Sequence, residues 1–155
     1  MTLPIALLSA AAALCAALTI AAKYRHSKRL EYVCKPLATA SILLIALLAE
    51  DPLTARYQAL IVLGLAASLA GDVFLMLPDR FLPGLLSFLV AHLFYVAAFT
   101  LEGSGTAPLW YLAPFVLYGA LVLRWLWPHL GSLRGPVIVY VAVILLMAWQ
   151  AANRW

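Results

Sequence analysis

Three side chains carry chemistry into stretches otherwise made of apolar residues: Lys35, Asp72 and His92. A charge at the centre of a bilayer costs about 2.5–3.5 kcal/mol on insertion scales, so an ionisable residue there needs a reason. Asp72 offers a carboxyl group suited to acid–base work, His92 an imidazole, and Lys35 an ammonium that can hold an anionic headgroup. Ser68 lies four residues before Asp72 and Tyr95 three after His92, so each pair shares one side of a helix. Thr39 and Ser41 can add hydroxyls from the stretch that carries Lys35. Gly64, Ala67, Ser68 and Gly71 are small enough for neighbouring helices to approach the Asp72 stretch closely.

Each of these residues also has a plainer role open to it. Asp72 and Lys35 can form a structural ion pair, and His92 a structural hydrogen bond. Tyr95 can be packing, and Lys35 before Pro36 can simply start a helix at headgroup level. Arg124 sits about one turn from a span end, where it can snorkel. Asp79 and Arg80 read as a solvated turn. Cys15 and Cys34 stand in no metal-ligand or redox spacing and read as small packing residues. The sequence has no Gly-rich phosphate loop, His-Glu-x-x-His helix, Gly-x-Ser-x-Gly elbow or paired Cys motif. That removes several common enzyme classes but not acid–base chemistry by carboxylates; no metal and no cofactor are expected.

The elements that position these residues follow from composition. Of 155 residues 66% are hydrophobic and 10% charged. Soluble domains run at about 45–50% apolar and about 25% charged, so lipid must be the solvent for much of this chain. The net charge of +4 comes from few residues, and no nucleic-acid partner is expected. Six apolar stretches, 3–22, 33–49, 57–77, 81–100, 108–127 and 136–152, each have the length that crosses about 30 Å of hydrocarbon as a helix. The expected fold is all-α, a single polytopic transmembrane bundle over residues 1–155. Stretch 3–22 has no basic residue before it and reads as a retained helix, not a secretory signal. Cys15 follows Leu14, which argues against a lipoprotein cleavage site.

Linkers carry the breakers: a charged 23–31, the acidic turn Glu50-Asp51-Pro52, the turn Pro78-Asp79-Arg80, a flexible Glu102-Gly103-Ser104-Gly105-Thr106, and Pro128-His129 with Gly131-Ser132. Taken alternately, one side holds Lys23, Arg25, Lys28, Arg29, Lys35, Arg80, Arg124 and Arg134, and the other only Arg56 and Arg154. The positive-inside rule places the first side in the cytoplasm and the N-terminus outside, in a multi-pass inner-membrane protein. Trp110, Tyr111, Trp125, Trp127 and Trp155 fall near span ends, as interfacial anchors do. In this frame Asp72 lies about 7–8 Å and His92 about 16 Å from the cytoplasmic face, and Lys35 enters from the same face. The three are expected to converge on one cavity.

The pattern resembles the YhhN-like family of membrane proteins, which includes lysoplasmalogenases. Lys35-Pro36-Leu37 opens the second stretch. Gly71-Asp72-Val73-Phe74-Leu75-Met76-Leu77-Pro78 closes the third, and Ala91-His92-Leu93-Phe94-Tyr95 lies in the fourth. The sixth, with Tyr140, Met147 and Trp149, is similar to the family's sixth span. Family members look like eight-span proteins that continue with a segment resembling Gly-Ala-x-x-Phe-x-x-Ser-Asp. The chain is thus expected to correspond to the first six spans, from a truncated gene or a short form completed by homo-oligomerisation.

The resemblance implies hydrolysis of the vinyl ether of a lysoplasmalogen, a lysophospholipid, to a fatty aldehyde and a glycerophospho-alcohol. Such a reaction needs a proton on the vinyl β-carbon and then water on the oxocarbenium ion. A buried carboxyl suits both steps, and glycosidases meet a similar cation with two carboxyls. The implied roles are Asp72 as general acid, with His92 and Tyr95 orienting it or the water. Lys35 would hold the phosphate, with Ser68 beside Asp72 in substrate binding. Asp79 is a poor stand-in for the missing second carboxyl. The same cluster also fits lipid binding without catalysis, proton or small-solute transport, or an inactive shortened homologue.

Overall fold

The computed structural model describes residues 2–50, 52–101 and 108–152. Asp51 of the acidic turn, the 102–106 linker, and Arg154 and Trp155 lie outside the described residues. Among the described residues there is no strand, and the chain folds as six α-helices: α1 Leu3–Tyr24, α2 Lys28–Leu47, α3 Ala55–Met76, α4 Phe81–Leu101, α5 Leu112–Leu126 and α6 Arg134–Ala152. Short 3-10 turns, Leu109–Tyr111, Trp127–His129 and Gly131–Leu133, flank α5 and lead into α6. The fold is all-α.

Apolar composition is expressed as exposure. Leu7, Leu14, Ile20, Leu63 and Leu121 are all roughly half or more exposed, and no large side chain among the described residues is fully buried. Such continuous apolar surface belongs against lipid. Helices α1 to α4 and segment Gly131–Ala152 are each long and apolar enough to cross a membrane. Helix α5 differs from the expected span. Its 15 α-helical residues rise only about 22 Å. Pro128, which has no N–H to bond back into the helix, lies in the 3-10 turn that follows.

The chain forms two compact units, Met1–Ala91 and His92–Trp155, with the boundary inside α4. In the first unit α1 and α2 form a tight hairpin. His26 takes a left-handed φ of 52°, which lets Ser27 N–H reach the Ala22 carbonyl at 2.9 Å and His26 N–H the Lys23 carbonyl at 3.3 Å. This is the reverse-turn cap usually given to glycine, here made by histidine. Helix α3 starts on Thr54, whose hydroxyl accepts from Tyr57 N–H at 3.1 Å. Gln58 donates to the Ala46 carbonyl at 2.9 Å and so satisfies the open end of α2. At the other end of α3, Tyr32 donates its phenol to the Met76 carbonyl at 2.7 Å.

Close packing of α3 on the first half of α4 depends on two glycines. A Cβ on Gly71 would meet the Phe88 ring at 2.7 Å, and one on Gly84 would meet Leu75 at 2.6 Å. Each helix thus gives up a side chain where the other inserts one. In the second unit α5 packs on α6 with Gly119 against Leu145 and Val141. Trp127 lies under the Arg134 guanidinium, 4.8 Å from its ring centroid.

Candidate functional site

The site builds from α2 and α3 of the first unit. Helix α2 begins at Lys28, ahead of the apolar stretch, so Lys35 sits two turns inside a helix and not at its start. Pro36 follows within the helix, and its missing N–H leaves the Tyr32 carbonyl without its helical donor. Thr39 comes one turn after Lys35, on the same side. Helix α3 presents Asp72 directly after Gly71, so the carboxyl is carried at a point where the Phe88 ring lies against bare backbone.

Asp72 is 6% exposed, a burial that a carboxyl tolerates only with partners. It has them. Lys35 Nζ lies 3.1 Å from Oδ1, and Thr39 Oγ1 donates to Oδ2 at 2.6 Å. Both carboxyl oxygens act as acceptors, and both donors come from a single turn of α2. Lys35 is the wetter partner, with its side chain 32% exposed against 8% for Asp72. The pair therefore has one end inside the bundle and one end toward the surface.

Of the residues singled out from sequence, Lys35 and Asp72 are brought together. Ser68 lies half-buried one turn before Asp72 on α3. Ser41 is buried but gives its proton to the Leu37 carbonyl at 2.8 Å, so of the two extra hydroxyls only Thr39 joins Asp72. His92 and Tyr95 belong to the second unit, where their rings meet edge to face at 6.1 Å between centroids. Tyr140 of α6 closes on the other partner position of His92, at 5.4 Å and 83°. In the sequence Tyr140 is one of two aromatics in its stretch and enters only through the resemblance of that stretch to the family's sixth span; nothing in local spacing pairs it with His92. Cys15 and Cys34 are free and buried.

Among the described residues no cluster of three or more His, Cys, Asp and Glu is arranged to hold a metal ion. An open apolar groove lined by Leu47, Ala55, Gln58, Ala59, Val62 and Leu63 lies at the far ends of α2 and α3. Along α3 it stops about 13–15 Å short of Asp72 and is a separate feature.

Membrane-length apolar helices, two of them joined by the Lys35–Asp72 ion pair, define a multi-pass helical membrane protein. The YhhN family model matches residues 30–155, and the chain belongs to that family. It is 33% identical over 148 residues to the uncharacterized membrane protein YhhN of Escherichia coli O6:H1, covering 94% of this chain and 69% of that one. It is also 38% identical over 96 residues to lysoplasmalogenase TMEM86A of Bos taurus and 40% identical over 96 residues to that of Homo sapiens. Those matches cover 59% of this chain and 38% of each relative. No solved structure matches the chain.

Proposed function

We propose that the chain is a membrane-embedded hydrolase that cleaves the vinyl ether of a lysoplasmalogen, with Asp72 as the acid. The observation that carries this reading is the buried Asp72 carboxyl held by Lys35 and Thr39. Similarity to the two lysoplasmalogenases supports the choice of substrate class. Lys35 is exposed enough to meet a lipid phosphate at the membrane surface. Turning to that phosphate, it would leave the carboxyl to Thr39, and the reaction uses Asp72 in its acid form. That proton goes to the vinyl β-carbon while the enol-ether oxygen shares the positive charge. The carboxylate left behind stabilises the oxocarbenium ion. Water then adds to the cation carbon and gives one proton back to the Asp72 carboxylate, and the neutral hemiacetal collapses to aldehyde and glycerophospho-alcohol. The alkenyl tail is solvated by the apolar helices, as in any lipid.

His92 and Tyr95 assist the same reaction in this proposal, and their role rests on the resemblance alone. The orientation proposed is the one set by the lysine and arginine distribution, with the Lys23–Arg29 side cytoplasmic in a cell membrane. The test is aldehyde release from a lysoplasmalogen by the purified protein in detergent, beside the Asp72→Asn variant. Release by the wild type and none by the variant supports the reading. Equal release by both removes Asp72 from the mechanism. Lipid binding without any aldehyde favours a non-catalytic lipid-binding protein.

A further inference from the structure

We infer that Thr39 is a positioning residue for the Asp72 carboxyl, able to serve it both before and after the proton is given up; the inference rests on the hydrolase reading above. Thr39 has a single hydroxyl proton to give. Its Oγ1 has two acceptors in reach, the Asp72 Oδ2 atom at 2.6 Å and the Lys35 carbonyl, one turn back, at 3.5 Å. One proton can satisfy only one of them, and the shorter contact to the charged oxygen takes it. When Asp72 is a carboxylate, Thr39 is therefore a donor to it. When Asp72 carries a proton, the same hydroxyl can turn. It then accepts from the acid and gives its own proton to the Lys35 carbonyl, a one-turn back-bond that threonine makes readily in helices. No buried polar atom of the Thr39–Asp72 contact is stranded in either state.

Geometry adds a second role. Lys35 holds Oδ1 and Thr39 holds Oδ2 from the same face of α2, so both oxygens of the carboxyl are tethered. If the ammonium leaves for a phosphate, Thr39 remains as the tether that keeps the acid in place. Valine matches threonine in shape but has no hydroxyl, whereas serine keeps the hydroxyl and loses the methyl. The two substitutions therefore separate hydrogen bonding from packing.

The experiment measures aldehyde release by detergent-purified wild type, Thr39→Val and Thr39→Ser. Infrared difference spectra of protein labelled with 13C-carboxyl aspartate are recorded in parallel, with the Asp72 band assigned by its loss in Asp72→Asn. Thr39→Val is expected to lower kcat by about 10- to 100-fold, the worth of one hydrogen bond to a charged group, with little change in KM. Thr39→Ser is expected to recover most of the rate. The Asp72 carboxyl band should move in Thr39→Val and return in Thr39→Ser. Full kcat in Thr39→Val, or a serine variant as slow as the valine one, overturns the inference. If the wild type releases no aldehyde, the hydrolase reading falls, and the spectra still decide: a shifted band upholds the positioning contact, and an unshifted band removes it.

Discussion

Lys35 Nζ lies 3.1 Å from Asp72 Oδ1, and the two side chains differ fourfold in exposure. That asymmetry predicts how the pair responds to mutation. Lys35→Met leaves a buried carboxyl with only Thr39 to satisfy it. Breaking a fully buried pair costs about 3–5 kcal/mol, and the partial exposure of Lys35 reduces this to about 1–3 kcal/mol. Lys35→Met with Asp72→Leu removes both charges and should restore stability to within about 1 kcal/mol of wild type. Denaturant unfolding in detergent micelles measures both. Additive losses in the double variant would show that the two charges do not interact energetically.

Gly71 offers a different handle, because it sets the distance of α3 from α4 directly beside the acid. A methyl group there would meet the Phe88 ring at 2.7 Å, well inside contact distance. Gly71→Ala should destabilise the fold by about 1–3 kcal/mol through overpacking. It should also reduce aldehyde release by displacing Asp72. Shrinking the opposing ring with Phe88→Leu in the same chain should recover part of both losses. If Gly71→Ala behaves as wild type, the close approach is not what holds this part of α3.

Much of this arrangement is legible in the amino-acid sequence. Length and composition dictate helices, because only helices and closed barrels satisfy backbone groups in lipid and nothing in the chain alternates as a barrel strand does. The pairing of Lys35 with Asp72 is legible too, since two opposite charges that enter apolar stretches from one side seek each other. The choice of Thr39 over Ser41 is not. Both are hydroxyls on α2, and which one faces Asp72 depends on helix rotation, which neither spacing nor composition specifies. The shortness of α5 is also hidden. Its stretch is apolar over a full span, but both ends are 3-10 turns, Leu109–Tyr111 before it and Trp127–His129, with Pro128, after it. The Tyr140 contact with His92 joins residues far apart in the chain, and no local pattern encodes it.

Mutation can tell whether that contact serves packing or chemistry. His92 is held edge to face by Tyr95 from its own helix and by Tyr140 from α6, so the imidazole is fixed by two rings. Aromatic pairs of this geometry are worth about 0.5–1.5 kcal/mol each beyond their burial. Tyr140→Leu keeps much of the bulk in place but removes one of these contacts, and should cost stability of about that size. If His92 takes part in the reaction, the same variant should also slow aldehyde release, because a loosened imidazole spends less time in its working orientation. His92→Gln should then slow it further, and adding Tyr140→Leu to His92→Gln should have little extra effect on rate. A Tyr140→Leu variant that loses stability but keeps its full rate would assign the three rings to packing of the second unit alone.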